Sequence, residues 1–131
     1  MIVVDASVLI AHLDADDAHH ERAQAVLLGA ADEPLGASPL SLTEVLVGPA
    51  GAGQVGHAVA AVRQLQVETV VLPEDAPERL ALLRADTGLK LPDCCVLLAA
   101  GQVHGEVATF DDRLAAVARV QGHVVRDGST D

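Results

Sequence analysis

The chain has 131 residues, enough for one core that buries roughly two-thirds of its unfolded surface. Half of the residues are hydrophobic but only Phe110 is aromatic, which excludes a binder that stacks successive bases on a sheet of aromatics. Eight basic residues against nineteen acidic ones leave a net charge of −11; general electrostatics cannot hold nucleic acid here without bound metal and a local cationic patch.

Ile2-Val3-Val4 is a continuous run of β-branched residues, which predicts a strand buried on both faces and central in its sheet. It ends in Asp5, and Ala6 to Leu13 reads as a helix. The acidic connection from Asp14 to Ala18 leads to His19-His20 and then to Ala23, Val26, Leu27 and Ala30 at helical spacing. Two adjacent histidines point to different faces of a helix, so they read as a solvated helix start rather than as metal ligands. After the turn Asp32-Glu33-Pro34, Leu35 to Ser38 is a weak strand. Ser38-Pro39 is a helix-start signal, with Ser38 as N-cap and Pro39 in the first turn. Leu40, Thr43, Leu46 and Val47 continue that helix, and the segment from Gly48 to Gly53 predicts a flexible break.

Val55, Val59, Val62 and Leu65 mark the next amphipathic helix, and Val67 to Leu72 is the clearest strand. Glu74-Asp75-Ala76-Pro77 opens a helix carrying Leu80, Leu83 and Thr87, with Gly88 as its C-cap. Leu91-Pro92-Asp93 introduces a helix from Asp93 to Val103 that is apolar almost all round and therefore buried. Its adjacent Cys94-Cys95 fit no zinc or redox spacing and read as small core residues. Val107 to Phe110 is a strand, Asp111 to Val120 a helix and His123 to Val125 a last short strand. The alternation predicts one three-layer α/β domain over residues 1–131, with a mainly parallel sheet of about five strands flanked by helices. No leader precedes the first strand and no apolar run approaches the roughly 20 residues that span a membrane. The expectation is a soluble, cytoplasmic protein.

Four acids, Asp5, Glu44, Asp93 and Asp111, stand at strand-to-helix junctions, the edge where ligands bind in open α/β sheets. Each has an ordinary alternative. Asp5, Asp93 and Asp111 sit where an N-cap belongs, and Ser41-Leu42-Thr43-Glu44 matches a capping box. The box is the weaker of these, because Ser38-Pro39 already starts that helix a turn earlier. Carboxylates gathered at an apolar edge repel one another unless a cation neutralises them. Hard oxygen ligands point to Mg²⁺, with Mn²⁺ as a substitute, and such a site commonly activates water for attack on a phosphodiester.

In this order and spacing, four blocks resemble the PIN domain family: Val4-Asp5-Ala6-Ser7-Val8-Leu9-Ile10, Ser38-Pro39 with Glu44, Leu91-Pro92-Asp93, and Ala108-Thr109-Phe110-Asp111-Asp112-Arg113-Leu114. The likeness is to VapC-type toxins of bacterial toxin–antitoxin pairs and covers nearly the whole chain. The resemblance implies Asp5, Glu44, Asp93 and Asp111 as the metal-binding and catalytic quartet. It implies Ser7 and Thr109 as hydroxyl supports and Asp112 as an outer acid. It further implies Mg²⁺-dependent endoribonuclease activity on tRNA or ribosomal RNA, a homodimer, and inhibition by a VapB-type antitoxin. Arg22, Arg63, Arg84, Lys90 and Arg113 are the available phosphate contacts, and the sequence does not rank them.

Three rival readings bear on the same residues. Gly51-Ala52-Gly53-Gln54-Val55-Gly56 matches a dinucleotide-binding fingerprint, but that motif needs a strand running into its first glycine. A phosphoacceptor receiver domain needs paired early acids and a late lysine, which the sequence lacks. A PIN-like module that no longer cuts is disfavoured because all four acids are present.

Overall fold

The computed structural model describes residues 1–129. Five parallel strands form one sheet, β1 (Ile2–Val4), β2 (Leu35–Ala37), β3 (Val67–Thr69), β4 (Glu106–Ala108) and β5 (Val125–Arg126), in the order β3-β2-β1-β4-β5. Among the described residues seven helices flank it: α1 (Ala6–Leu13), α2 (His20–Gly29), α3 (Pro39–Gly51), α4 (Val55–Gln64), α5 (Ala76–Thr87), α6 (Leu91–Val103) and α7 (Asp112–Val120). As the apolar run predicted, β1 is central and fully buried. Its neighbours are set by Val3 opposite Gly36 on one side and Val107 on the other.

Successive side chains on β1 point to opposite faces, and two cores follow from that alternation. Ile2 and Val4 join Leu9, Ala23, Val26 and Val45 in one core. Val3 joins Val107, Val96, Leu97, Leu114 and Cys94 in the other, and Cys95 is buried too, both cysteines as expected. The last strand is clamped by one side chain. Arg126 donates to Glu33 at 2.6 Å, to Glu106 at 3.2 Å and to the Gly29 carbonyl at 3.3 Å.

Several boundaries differ from the sequence reading, each for a local reason. The expected break at Gly48 to Gly53 is helical as far as Gly51, with Pro49 inside α3. Proline removes one helical hydrogen bond, but Ala52 and Gln54 still donate to the Gly48 and Pro49 carbonyls. The chain turns only at Gly53, whose φ of 72° suits glycine. The strand expected to reach Leu72 ends at Thr69, and Val70 adds a single bond to the Ala37 carbonyl. Its only partner, β2, stops where Ser38 caps α3. The last strand lies at Val125–Arg126 rather than at His123 to Val125. His20 does begin α2, but half-buried, with its Nδ1 2.8 Å from the Ala11 carbonyl.

Close packing at the start of the sheet gives a paired test. A Cβ on Gly105 would lie 2.7 Å from the Met1 carbonyl oxygen, whereas one on Gly101, near the end of α6, meets nothing within 4 Å. Gly105→Ala is expected to destabilise by about 1–3 kcal/mol, since backbone cannot turn aside as a side chain can. Gly101→Ala is expected to stabilise by about 0.5–1 kcal/mol. Urea unfolding of both variants checks the opposite signs.

Candidate metal centre at the carboxyl end of the sheet

Asp5 follows β1 and occupies the N-cap position of α1, yet its side chain makes no cap hydrogen bond. It is 6% exposed, and a carboxylate so placed requires hydrogen-bond partners. Two hydroxyls supply them: Ser7 Oγ and the buried Thr109 Oγ1 each donate to Asp5 Oδ2 at 2.8 Å. Each hydroxyl in turn accepts a main-chain N–H, Ser7 from Phe110 at 3.2 Å and Thr109 from Asp111 at 3.0 Å. With an amide pointing at each oxygen, each hydroxyl proton is directed to the carboxylate. Among the described residues no hydrogen bond reaches the other oxygen, Asp5 Oδ1.

Asp111 does serve as an N-cap, its Oδ1 accepting from the Leu114 N–H at 2.9 Å. The capping box at Ser41 is not formed, because Ser38 Oγ accepts from the Ser41 N–H at 3.1 Å and caps α3 a turn earlier. Glu44 is thus free of a capping role and stands on the second turn of α3. Asp93 is not an N-cap either. The helix starts at Leu91 with Lys90 as the cap residue and Pro92 in the first turn, which puts Asp93 at its third position.

The electrostatics tie the four acids together. Asp93 is pushed up to about 6, first by burial and then by the charges of Asp5, Asp111 and Glu44, with Lys90 opposing. Although Glu44 reaches solvent, partial loss of water and then Asp5 raise its carboxyl above the ordinary range, again against Lys90. Lys90 therefore stands out from the five cations that the sequence left unranked. Asp112 is exposed at the start of α7 and is not among the charges that move Asp93. The buried thiols of Cys94 and Cys95 are raised chiefly by burial, which suits inert core residues.

Among the described residues no three His, Cys, Asp or Glu side chains are already drawn into a metal-holding group. Asp93 lies within charge-coupling range of the other three carboxylates, but the four do not close into a cage. The donor set itself fits a hard divalent cation: carboxylate oxygens in excess, one of them oriented by two hydroxyls, and mutual repulsion that such a cation would relieve. The rival fingerprint fails on structure, since Gly51 ends helix α3 and no strand runs into it. A cleft of about 700 Å³, lined by Leu27, Pro34, Arg63, Leu65 and Glu68, contains none of these acids.

The raised carboxyl of Asp93 has a consequence for stability. Below the unfolded value of 3.8 it is protonated in both states and costs nothing; above about 6 it is ionised in the fold against its surroundings. Metal-free protein therefore loses stability from this group as pH rises from about 4 to about 6. Discounted for solvent contact and for the favourable helix N-terminus, the loss is on the order of 1 kcal/mol. Urea unfolding in chelator at pH 4 and pH 7 is expected to show Asp93→Asn gaining on the wild type by that amount between the two.

Comparison with known proteins places the fold. A toxin–antitoxin complex from Klebsiella pneumoniae is 22% identical with a TM-score of 0.74, covering 100% of both chains. The sarcin–ricin-loop-cleaving toxin VapC20 of Mycobacterium tuberculosis is 24% identical with a TM-score of 0.70, covering 95% of this chain and 97% of that one. FitAcB from Neisseria gonorrhoeae is 20% identical with a TM-score of 0.71, covering 98% of each. At these identities the likeness is one of fold. No curated protein matches the sequence significantly. The family model for the PIN domain matches residues 2–120, a span from β1 to the end of α7 that takes in all four acids and both hydroxyls. The chain belongs to the PIN domain family.

Proposed function

We propose that this chain is a VapC-type toxin, a Mg²⁺-dependent endoribonuclease consisting of one PIN domain over residues 1–131. The observation that carries the reading is the coupling of Asp93 to Asp5, Glu44 and Asp111, which leaves one sheet edge overcharged and in need of a cation. Nuclease activity is general in PIN domains, and one neighbour of the same fold is by name an RNA-cleaving toxin. Another is by name a toxin–antitoxin complex, which supports a VapB-type antitoxin as partner. Exposed Val47, Val71 and Leu82 offer apolar area for an antitoxin or a homodimer mate. A cytoplasmic location goes with that role; no described helix is long and apolar enough to cross a membrane.

Asp5, Glu44, Asp93 and Asp111 would hold the Mg²⁺, or Mn²⁺ in its place. When bound, the ion supplies positive charge at the scissile phosphate and activates a water for hydrolysis. Within the chain, Ser7 and Thr109 hold Asp5 in one orientation, so that its second oxygen is presented to the site. Asp111 caps α7 through Oδ1, which would leave Oδ2 for the cation. Lys90, the cation that bears on both Glu44 and Asp93, would meet a phosphate of tRNA or ribosomal RNA. Asp112 could add an outer acid only from the exposed first turn of α7.

Purified protein is expected to cleave RNA with Mg²⁺ or Mn²⁺ and to stop in EDTA, leaving 5′-phosphate and 3′-hydroxyl ends. Asp5→Asn and Asp93→Asn should each lower the rate about 100-fold or more, and Thr109→Val by about 10–100-fold through Asp5. Because a proton on Asp93 competes with the cation, activity should rise with pH through about 6. Sequencing of RNA ends after expression, with Asp93→Asn as control, checks the reaction. Products with 2′,3′-cyclic phosphate would rule this mechanism out.

A further inference from the structure

The only aromatic residue of the chain lies at the acid edge. Phe110 sits between Thr109 and Asp111, and its N–H donates to Ser7 Oγ, so its main chain is fixed to the same network that orients Asp5. Its ring meets the His19 imidazole at 5.5 Å between centroids, tilted by 45°. The Arg22 guanidinium carbon lies 4.5 Å from the same ring centroid. Phe110 and Arg22 are half-buried whereas His19 is exposed. His19 is nonetheless held in place. Its N–H donates to Asp17 Oδ1 at 2.8 Å, its carbonyl accepts from the Ala23 N–H at 2.8 Å, and His20 beside it is tied to the Ala11 carbonyl.

Resting on the ribonuclease reading above, we propose that the exposed His19 ring, braced on Phe110, is a stacking platform for an unpaired RNA base next to the cleavage site, with Arg22 taking an adjacent phosphate. An imidazole presents the flat π-face that an unstacked base needs, and a guanidinium plane does the same. Arg22 donates through Nε to the Asp127 carbonyl, and among the described residues neither of its terminal nitrogens has a hydrogen-bond partner. Those donors point the cationic end to a phosphate. The charge of the surroundings decides what His19 receives. Asp14, Asp16 and Asp17 precede it in the α1–α2 connection, and like charge repels phosphate there. A base has an uncharged face and is not repelled. The platform thus selects RNA in which a base can be splayed out, a loop or a bulge rather than a continuous duplex.

The test uses RNA hairpins carrying 2-aminopurine at successive loop positions, bound in Ca²⁺ to hold cleavage back. Wild type is expected to quench the fluorophore at one or two positions, as stacking does. His19→Ala, a change at an exposed position, should remove that quench and weaken binding about tenfold. His19→Tyr should restore both, and Arg22→Gln should lower the salt dependence by about one phosphate contact while the quench remains. An unchanged quench and affinity in His19→Ala, no rescue by His19→Tyr, or no quenched position in wild type would each overturn the platform. Cleavage of the same hairpins in Mg²⁺ by wild type and Asp93→Asn reports separately on the nuclease reading. Cleavage that depends on Asp93 but ignores His19 would leave the nuclease standing and remove the platform.

Discussion

The paired hydroxyl bonds to Asp5 Oδ2 are the constraint on which the edge depends. A buried carboxylate at the end of a fully apolar strand would be costly if left unpaired, and charge-assisted hydrogen bonds offset that cost. The same two bonds do positional work beyond their energy. Ser7 and Thr109 come from α1 and from the segment after β4, and each accepts an amide from the turn that leads into α7. Asp5 therefore fixes where Phe110 and Asp111 lie, and with them the start of α7. Loss of either hydroxyl would loosen a carboxylate, a turn and a helix start together.

Charge balance at this edge is local rather than global. The protein carries a large negative excess, but its strongest consequence is concentrated on Asp93, where three acids and burial act in one direction and Lys90 alone in the other. The basic side chains elsewhere are occupied differently: Arg126 clamps the last strand and Arg119 pairs with Asp127. That division leaves the acids at the edge with little cationic relief, while the net negative charge repels polyanions from the surface at large. On the proposed ribonuclease reading, RNA would approach only where a cation or a flat ring is presented.

Much of this architecture was legible in the sequence because its signals are local and chemical. The β-branched run of β1 and the Ser38-Pro39 start of α3 each name their own conformation. Asp111 was legible as a cap for the same reason, since a carboxylate can accept the amide it sits beside. The start of α6 was not, because Lys90 has no side-chain acceptor to cap with, and the nearby Asp93 resembles the cap that Lys90 is not. The glycines and proline of α3 were over-read: glycine costs only about 1 kcal/mol per residue, and around Pro49 the helix keeps its remaining carbonyl partners. Least legible was the grouping of His19, Arg22 and Phe110. Composition alone argues against any stacking surface, and only the fold brings the single aromatic ring against a histidine from the distant α1–α2 connection.

Thr109 and Asp5 are separated by 104 positions, and this spacing has a bearing on biosynthesis. The strand that ends in Asp5 is made first and lies at the centre of the sheet, with its flanking strands supplied later. Contacts this remote in sequence also form late in folding, because a long loop must close before they are gained. A nascent chain or a prematurely terminated product that stops before Thr109 lacks the hydroxyl, the amide and the acid that complete the edge. Translation must pass Thr109 and Asp111 before the carboxylate of Asp5 has its partners.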